Sequence, residues 1–481
     1  MSKETPRQLV IIGGGPGGYP AAFYAADHGM DVTLIDTEEN PGGVCVYRGC
    51  IPSKALLHIA RVLDEAKEAA AMGVTFGEPQ IDVAKVRDWK NSVVKRLTGG
   101  TGMLRQQRRI HSIQGRARFV DEHTLDVTRP DGSKESVAFE HAIVATGSRP
   151  TVIPAFDMES PRLLNSSSAL DLEEVPKKLL VIGGGYIGLE MGTVYAALGS
   201  AVSVIEMTDG LLPGADRDLV KILAKRLEKK FASILLKTKV VELKEQKNGI
   251  KVTYEGPDGK SADKLFDRVL VSVGRTPNTE SVGLDRAGIR VNERGFIEVD
   301  GQRRTSTPHI FAIGDVTGDP MLAHKASHEG IVAVEALLGK KSVFEPRAIP
   351  AVVFTDPEIA WAGLSETEAK AKDISVKVSR FPWAASGRAM SLERTDGVTK
   401  LVCDPDSGRI LGVGLAGVGV GELIAEGTLA IEMGATAEDI KLTIHAHPTL
   451  SETLMEAGEG FYGNAIHFKR TAVQRKVWQL E

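Results

Sequence analysis

Apolar and polar positions along this chain alternate in two recurring rhythms. Short apolar runs rich in β-branched residues predict strands buried on both faces. Longer stretches with apolar residues every three or four positions predict helices. The clearest alternation occurs twice. LVIIGGGPGGYPAAFYAADHGMDVTLID (9–36) and LLVIGGGYIGLEMGTVYAALGSAVSVIE (179–206) are offset by 170 positions throughout. Each passes from an apolar strand through G-x-G-x-x-G into a helix of small residues. A glycine and a β-branched strand follow, and the strand ends in an acid.

The glycines are Gly13, Gly15 and Gly18 in one copy and Gly183, Gly185 and Gly188 in the other. The acids, Asp36 and Glu206, lie 23 residues after the first glycine of each copy. Glycines at this spacing let the backbone approach a pyrophosphate, and the helix N-terminus then points at it. The acid accepts hydrogen bonds from ribose hydroxyls. The competing reading is two tight strand–helix turns without a ligand. Two complete copies favour the ligand, so the chain is expected to bind two dinucleotides. A carboxylate at Glu206 repels a 2′-phosphate and predicts NAD over NADP. Pro20 falls inside the first helix and is expected to loosen that turn.

Three further segments predict returning strands: HAIVATGSRP (141–150), RVLVSVGRTPN (268–278) and HIFAIGDV (309–316). They place Thr146, Gly147 and Ser148, Gly274, and Asp315 at strand ends, where open α/β sheets bind ligands. Asp315 reads as a ligand contact ahead of a solvated loop acid. After about residue 348 no third fingerprint occurs. AVVFT, VTKLVCD and ILGVGLAG read as strands of an α+β domain. The apolar run 410–425 holds glycines and Glu422 and is too short to span a bilayer, so it reads as a buried strand leading into a helix. KILAKRLEKKF (221–231) reads as a helix with one solvated face.

Composition narrows the classes. A chain of 481 residues exceeds one core and predicts several domains. A net charge of −4 offers no basic face for nucleic acid. The N-terminal residues lack a signal peptide pattern, and three cysteines make no secreted scaffold, so a soluble cytoplasmic protein is expected.

Two of those cysteines, Cys45 and Cys50, bracket VYRG. As a staple they would close a small loop worth about 2 kcal/mol. As a metal site they lack a second cysteine pair or a His–Cys cluster. A redox pair is favoured, although the residues alone leave the other two readings open. IPSKALLHIARVLDEAKEAA has helical periodicity, which puts Cys50 at a helix start, where thiolate is stabilised. In HAHPTLSE (445–452), Pro448 predicts the first turn of a helix, with His447 at its entrance and Glu452 just over a turn on. Such a pair suits acid–base work, and a capping or packed histidine fits the pattern equally well. His445 has no acid at a similar offset.

These segments together resemble the flavoprotein disulfide reductases, and within them the dihydrolipoyl dehydrogenase group. The resemblance rests on GGGPGG (13–18), GGVCVYRGCIPSK (42–54), ATGS (145–148), GGGYIGLE (183–190), VGRTPN (273–278), GDV (314–316), MLAHKASHEG (321–330) and HAHPTLSE (445–452). It implies an α/β protein with two Rossmann-like dinucleotide-binding domains, for FAD and NAD, and a C-terminal α+β dimerisation domain. It implies an FAD-binding domain over 1–150, an NAD-binding domain over 151–279, a segment 280–348 completing the FAD domain, and an interface domain over 349–481. FAD would meet Gly13, Gly15, Gly18, Asp36, Gly43, Lys54, Gly115, Thr146, Gly147, Ser148, Asp315 and Met321, Leu322, Ala323 and His324. NAD would meet Gly183, Gly185, Tyr186, Ile187, Gly188, Glu190, Glu206, Val240 and Gly274. Lys54 would pair with Glu190 near the flavin. Cys45 would exchange with dihydrolipoamide, Cys50 would face the flavin, and His447, oriented by Glu452, would be the base acting on the other subunit's disulfide.

The resemblance thus implies a homodimeric enzyme that oxidises protein-bound dihydrolipoamide with NAD. Its partner would be a lipoyl-bearing acyltransferase or the carrier protein of glycine cleavage, with no nucleic acid, membrane or metal. Tyr47 stands where the family usually has Asn, and Tyr186 where an aliphatic residue is commoner. The alternatives are a glutathione reductase-like or soluble transhydrogenase-like enzyme. Mercuric reductase is disfavoured because the tail VQRKVWQLE has no cysteine pair.

Overall fold

The computed structural model describes residues 7–468, so the tail VQRKVWQLE lies outside the described residues. The chain forms two compact units. The first comprises residues up to 59, 75–175 and 270–345; the second comprises 60–74, 176–269 and residues from 346 on.

In the first unit, strand β1 (Arg7–Ile12) leads to helix α1 (Gly18–Asp27) and strand β2 (Val32–Asp36). β1 lies between β2 and the long strand Lys134–Val144, parallel to both. The strand Ile310–Ala312 joins the far side of Lys134–Val144, also parallel. The sheet is apolar on both faces, as its near-continuous apolar runs require. Leu9, Ile11, Leu34, Ile143 and Phe311 pack with Ala21, Ala22 and Ala25 of α1 and with Ala333 and Val334 of the helix Ala323–Leu337. Val10, Ile12, Ala142 and Val144 pack on the opposite side with Phe119, Leu125 and Val127, which belong to two antiparallel strands. Register then fixes the site. Ile12 is level with Ile35 and Val144, and Val144 with Ala312. Gly13, Asp36, the turn at 145–148 and Asp315 therefore emerge along one carboxyl edge.

The second unit repeats the device. Strands Lys178–Ile182, Ala201–Ile205 and Ser233–Leu235 run parallel, with Ile182 level with Ile205 and Ile205 with Leu235. Gly183 and Glu206 follow directly at that edge. A five-stranded antiparallel sheet, built from residues 351–353, 358–363, 410–417, 398–403 and 377–382 in that order, carries the rest of this unit. Helices Val420–Met433 and Glu452–Phe461 pack on it around Trp383, Leu415, Leu454 and Phe461.

Pro20 has a different effect from the one expected. It occupies the first turn of α1 and brings no N–H of its own. Its neighbours follow helical register, Tyr19 N–H bonding Gly15 O and Ala21 N–H bonding Gly17 O. The carbonyl that residue 20 would have served, Pro16 O, accepts instead from Ser327 Oγ at 2.7 Å. The turn is held from outside rather than loosened.

Candidate active site

Both fingerprints fold alike because the same residue types meet the same constraint. Gly13 and Gly183 each adopt φ +105°, a conformation that L side chains rarely take. A Cβ on Gly13 would lie 2.2 Å from Ala145 O. Asp36 accepts from Gly14 N–H at 2.5 Å and Glu38 N–H at 2.8 Å. Glu206 accepts from Gly184 N–H at 2.6 Å and Thr208 N–H at 2.7 Å. Each acid is thus locked beside its own glycine turn, with lone pairs remaining for ribose hydroxyls.

The first edge is bare of side chains where a pyrophosphate would lie. Gly43 adopts φ +58°, and a Cβ there would sit 2.4 Å from Gly15 Cα. Gly18 opens α1, and Gly115 N–H bonds Asp36 O at 2.8 Å. Thr146 and Gly147 are zipped to Asn278 by three hydrogen bonds of 2.8–2.9 Å. Ser148 Oγ donates to Asp315 Oδ2 at 2.5 Å and accepts from Arg275 Nε at 2.7 Å, so its hydroxyl proton is committed to the carboxylate. Arg275 was not singled out in the sequence, although it lies inside VGRTPN. The turn before Asp315 is fixed by fully buried Glu329, which accepts from Gly314 N–H at 2.6 Å and pairs with Arg303 and Lys325. Met321 and Leu322 precede the helix that Ala323 and His324 begin. This donor and acceptor set is able to hold FAD.

At the second edge Gly185 caps the helix Tyr186–Ala197, which carries Ile187, Gly188 and Glu190. Tyr186 is 41% exposed at its head. A Cβ on Gly185 would meet nothing within 4 Å, leaving the helix N-terminus open to a phosphate. Glu190 is buried and accepts from Phe354 N–H at 3.0 Å. Val240 lies in the antiparallel strand Lys239–Gln246, while Gly274 belongs to the first unit. The set in the second unit is able to hold NAD.

Cys45 sits in the short helix α2 (Gly43–Arg48), and Cys50 opens helix α3 (Cys50–Glu68). Both are thiols in this structure. The neighbouring Cys50 and burial push the Cys45 thiol well above its ordinary value. Lys54, one turn into α3, opposes the shift with its charge. Tyr19 of α1 is raised by burial and by the nearby Cys45. Tyr47, between the cysteines, donates to Asn40 O at 3.0 Å, and Thr101 Oγ1 donates to Pro41 O at 2.6 Å. Tyr47 therefore ties α2 back to the loop that leaves Asp36.

The histidine pair forms by another route than expected. The terminal helix begins at Glu452, and Pro448 lies in the loop before it. Pro448 starts no helix because the chain does not take up helical register until Ser451. His447 Nδ1 lies 2.9 Å from Glu452 Oε1, and Thr449 N–H donates to Glu452 Oε2 at 2.8 Å. Burial alone would raise Glu452; the Thr449 bond and His447 outweigh it and hold the carboxyl below its ordinary value. His445 also has an acid, though not at a similar offset along the chain. Its Nε2 lies 2.7 Å from Glu426 Oε1, on the helix Val420–Met433.

Among the described residues one acidic cluster, Asp216, Asp218 and Glu366, comes together. Its cation is a protein side chain: Lys400 Nζ lies 2.6 Å from Asp216 and 2.7 Å from Asp218. No helix among the described residues is long and apolar enough to cross a membrane.

Comparison with known proteins agrees with this architecture. The family model for pyridine nucleotide-disulphide oxidoreductase matches residues 7–330, and the model for the dimerisation domain of that family matches 349–458. The dihydrolipoyl dehydrogenase of Vibrio cholerae is 49% identical over 99% of this chain and 100% of its own length. That of Geobacillus stearothermophilus is 48% identical over 96% of this chain and 97% of its own. Among solved structures, LpdA from Mycobacterium tuberculosis superimposes with a TM-score of 0.87 at 27% identity, covering 94% of this chain and 99% of that one. The flavoprotein disulfide reductase RclA from Escherichia coli gives 0.85 at 30% identity, covering 95% and 99%. With two dinucleotide edges, a thiol pair at a helix start and a dimerisation domain, the chain belongs to the dihydrolipoyl dehydrogenases of the pyridine nucleotide-disulphide oxidoreductase family.

Proposed function

We propose that Cys45 and Cys50 form the redox disulfide through which this enzyme oxidises dihydrolipoamide and reduces NAD, with His447 and Glu452 as its acid–base pair. The observation that carries the reading is the placement of two thiols, Cys45 in α2 and Cys50 at the head of α3. His447 directs Nδ1 at Glu452, which leaves Nε2 to exchange protons. Nε2 takes the proton of one substrate thiol. The thiolate attacks Cys45 Sγ, the Cys45–Cys50 bond breaks, and Cys50 leaves as thiolate at the helix N-terminus. The second substrate thiol then attacks the substrate sulfur bound to Cys45. Lipoamide leaves as its disulfide, Cys45 takes the proton of the second substrate thiol, and His447 releases the first proton to solvent. One dithiol has been oxidised and one enzyme disulfide reduced. FAD, when bound, supplies the two-electron link between the cysteine dithiol and NAD.

Asp36 and Asp315 would hold FAD by its adenosine ribose and its sugar chain, and Glu206 would hold the NAD ribose. In this reading residues 1–150 and 280–348 serve FAD, 151–279 serve NAD, and 349–481 form the interface of a homodimer. The enzyme is cytoplasmic and receives lipoamide on an acyltransferase or on the carrier protein of glycine cleavage. The dimerisation-domain match and the full-length relatives support this.

The test is Cys50→Ser in the purified holoenzyme. Dihydrolipoamide–NAD turnover should vanish, while NADH oxidation by ferricyanide, which bypasses the cysteines, should persist. Retained dihydrolipoamide turnover would overturn the relay. Wild-type protein that uses other dithiols as fast as dihydrolipoamide would shift the assignment to another disulfide reductase.

A further inference from the structure

We infer that His445 and Glu426 are positioning residues for the acid–base step, a second anchor for the loop that presents His447. The inference rests on the reading of His447 as the base.

The loop 443–451 carries two histidines in opposite circumstances. The His447 side chain is 78% exposed and, among the described residues, is bonded to Glu452 alone. The His445 side chain is 5% exposed and is bonded at both ring nitrogens. Nδ1 lies 2.8 Å from Thr443 O, and Nε2 lies 2.7 Å from Glu426 Oε1. A backbone carbonyl only accepts, and an ionised carboxylate only accepts. Both ring nitrogens therefore face acceptors, and the ring is held at two points. A hydrogen bond to a carboxylate is stronger than one between neutral groups.

The placement gives this contact a purpose. Only Ala446 separates the two histidines, and its carbonyl accepts from Thr449 Oγ1 at 2.7 Å. Thr449 N–H in turn bonds Glu452. The loop is thus pinned on one side to the terminal helix through Glu452, and on the other to the helix Val420–Met433 through His445 and Glu426. An exposed base on an irregular loop has little packing to hold it, and a displacement of about 1 Å costs on the order of 10²-fold in rate. Glu452 sets the ring's orientation about Nδ1. His445 and Glu426 set where the backbone carrying that ring stands.

The experiment compares Glu426→Ala, Glu426→Gln, His445→Gln and His447→Gln in the holoenzyme. Readouts are kcat and KM with dihydrolipoamide, NADH–ferricyanide turnover, and flavin content. Glu426→Ala and His445→Gln should lower kcat by about 10- to 100-fold with KM little changed. Ferricyanide turnover and flavin content should stay at wild-type levels. Glu426→Gln keeps an oxygen to accept from Nε2 and should recover most of the rate. Wild-type kcat in Glu426→Ala and His445→Gln would overturn the proposal. So would a parallel fall in ferricyanide turnover and flavin content, which marks mere structural support. If His447→Gln turns over dihydrolipoamide normally, the base assignment itself fails. If it is inactive while the other variants are normal, only the positioning role fails.

Discussion

At the residue scale the site is a set of carboxylates with assigned tasks. Glu206 and Asp36 are held by paired N–H donors, Asp315 by Ser148, and Glu452 by Thr449 and His447. Replacing Glu206 with Gln or Arg should narrow the preference for NAD over NADP by tenfold or so, since about 1.4 kcal/mol of discrimination is tenfold. The ratio of kcat/KM for the two nucleotides measures it, and an unchanged ratio would remove Glu206 from the ribose. Glu452→Gln leaves His447 a partner without charge. General acid–base catalysis is worth about 10²–10⁴-fold, so a loss of dihydrolipoamide turnover within that range is expected. Glu452 is held below its ordinary value, so it remains ionised as pH falls toward the carboxylate range. The acid limb of the wild-type rate profile should therefore not report its protonation. These acids were legible in the sequence because each stands at a fixed offset from a glycine or a histidine. Glu426 was not. It lies 19 residues from His445 on another element, and no local pattern marks it.

At the element scale, turns and caps decide whether the dinucleotide edges exist. Gly43→Ala puts a Cβ 2.4 Å from Gly15 Cα at φ +58°. Flavin content on purification should fall by more than half, measured as the ratio of flavin to protein absorbance. The Pro20 turn offers a subtler test. Ser327→Ala removes the donor to Pro16 O and should cost about 1 kcal/mol. In a Pro20→Ala background the restored N–H serves the same carbonyl, and the cost of Ser327→Ala should shrink. Equal costs in both backgrounds would count against this account. Strand and helix identities followed from periodicity, as with the run 410–425, which is a strand and then a helix. The start of the last helix did not. Proline suits a first turn, but here Pro448 belongs to a loop shaped by hydrogen bonds to Glu452 and Glu426, which no local propensity encodes.

At the scale of the whole molecule, the second unit is tied internally by buried charge. The Lys400 side chain is 1% exposed and bonds Asp216 and Asp218. Burial would raise Asp216, but the bonds from Lys400 and Thr367 prevail and bring it to about 2 from an ordinary 3.8. A carboxylate depressed on folding stabilises the folded state above its unfolded value, and that stability drains as pH falls through the folded value. The thermal midpoint should therefore drop between about pH 4 and pH 2. Lys400→Met leaves Asp216 buried without its cation and should cost about 3–5 kcal/mol, read as a lower midpoint at neutral pH. The same substitution should also flatten the acid dependence. By itself the sequence determined the two dinucleotide folds, and it singled out Cys45, Cys50, His447 and Glu452 as candidates. Each is a local pattern in which spacing along the chain dictates spacing in space. Only the tertiary structure decided what joins distant segments: Ser148 to Asp315 and Arg275, Lys400 to Asp216, and His445 to Glu426. Those contacts depend on which strands share an edge and which helices pack on a sheet. Burial is what makes them strong, and burial is a property of the folded chain.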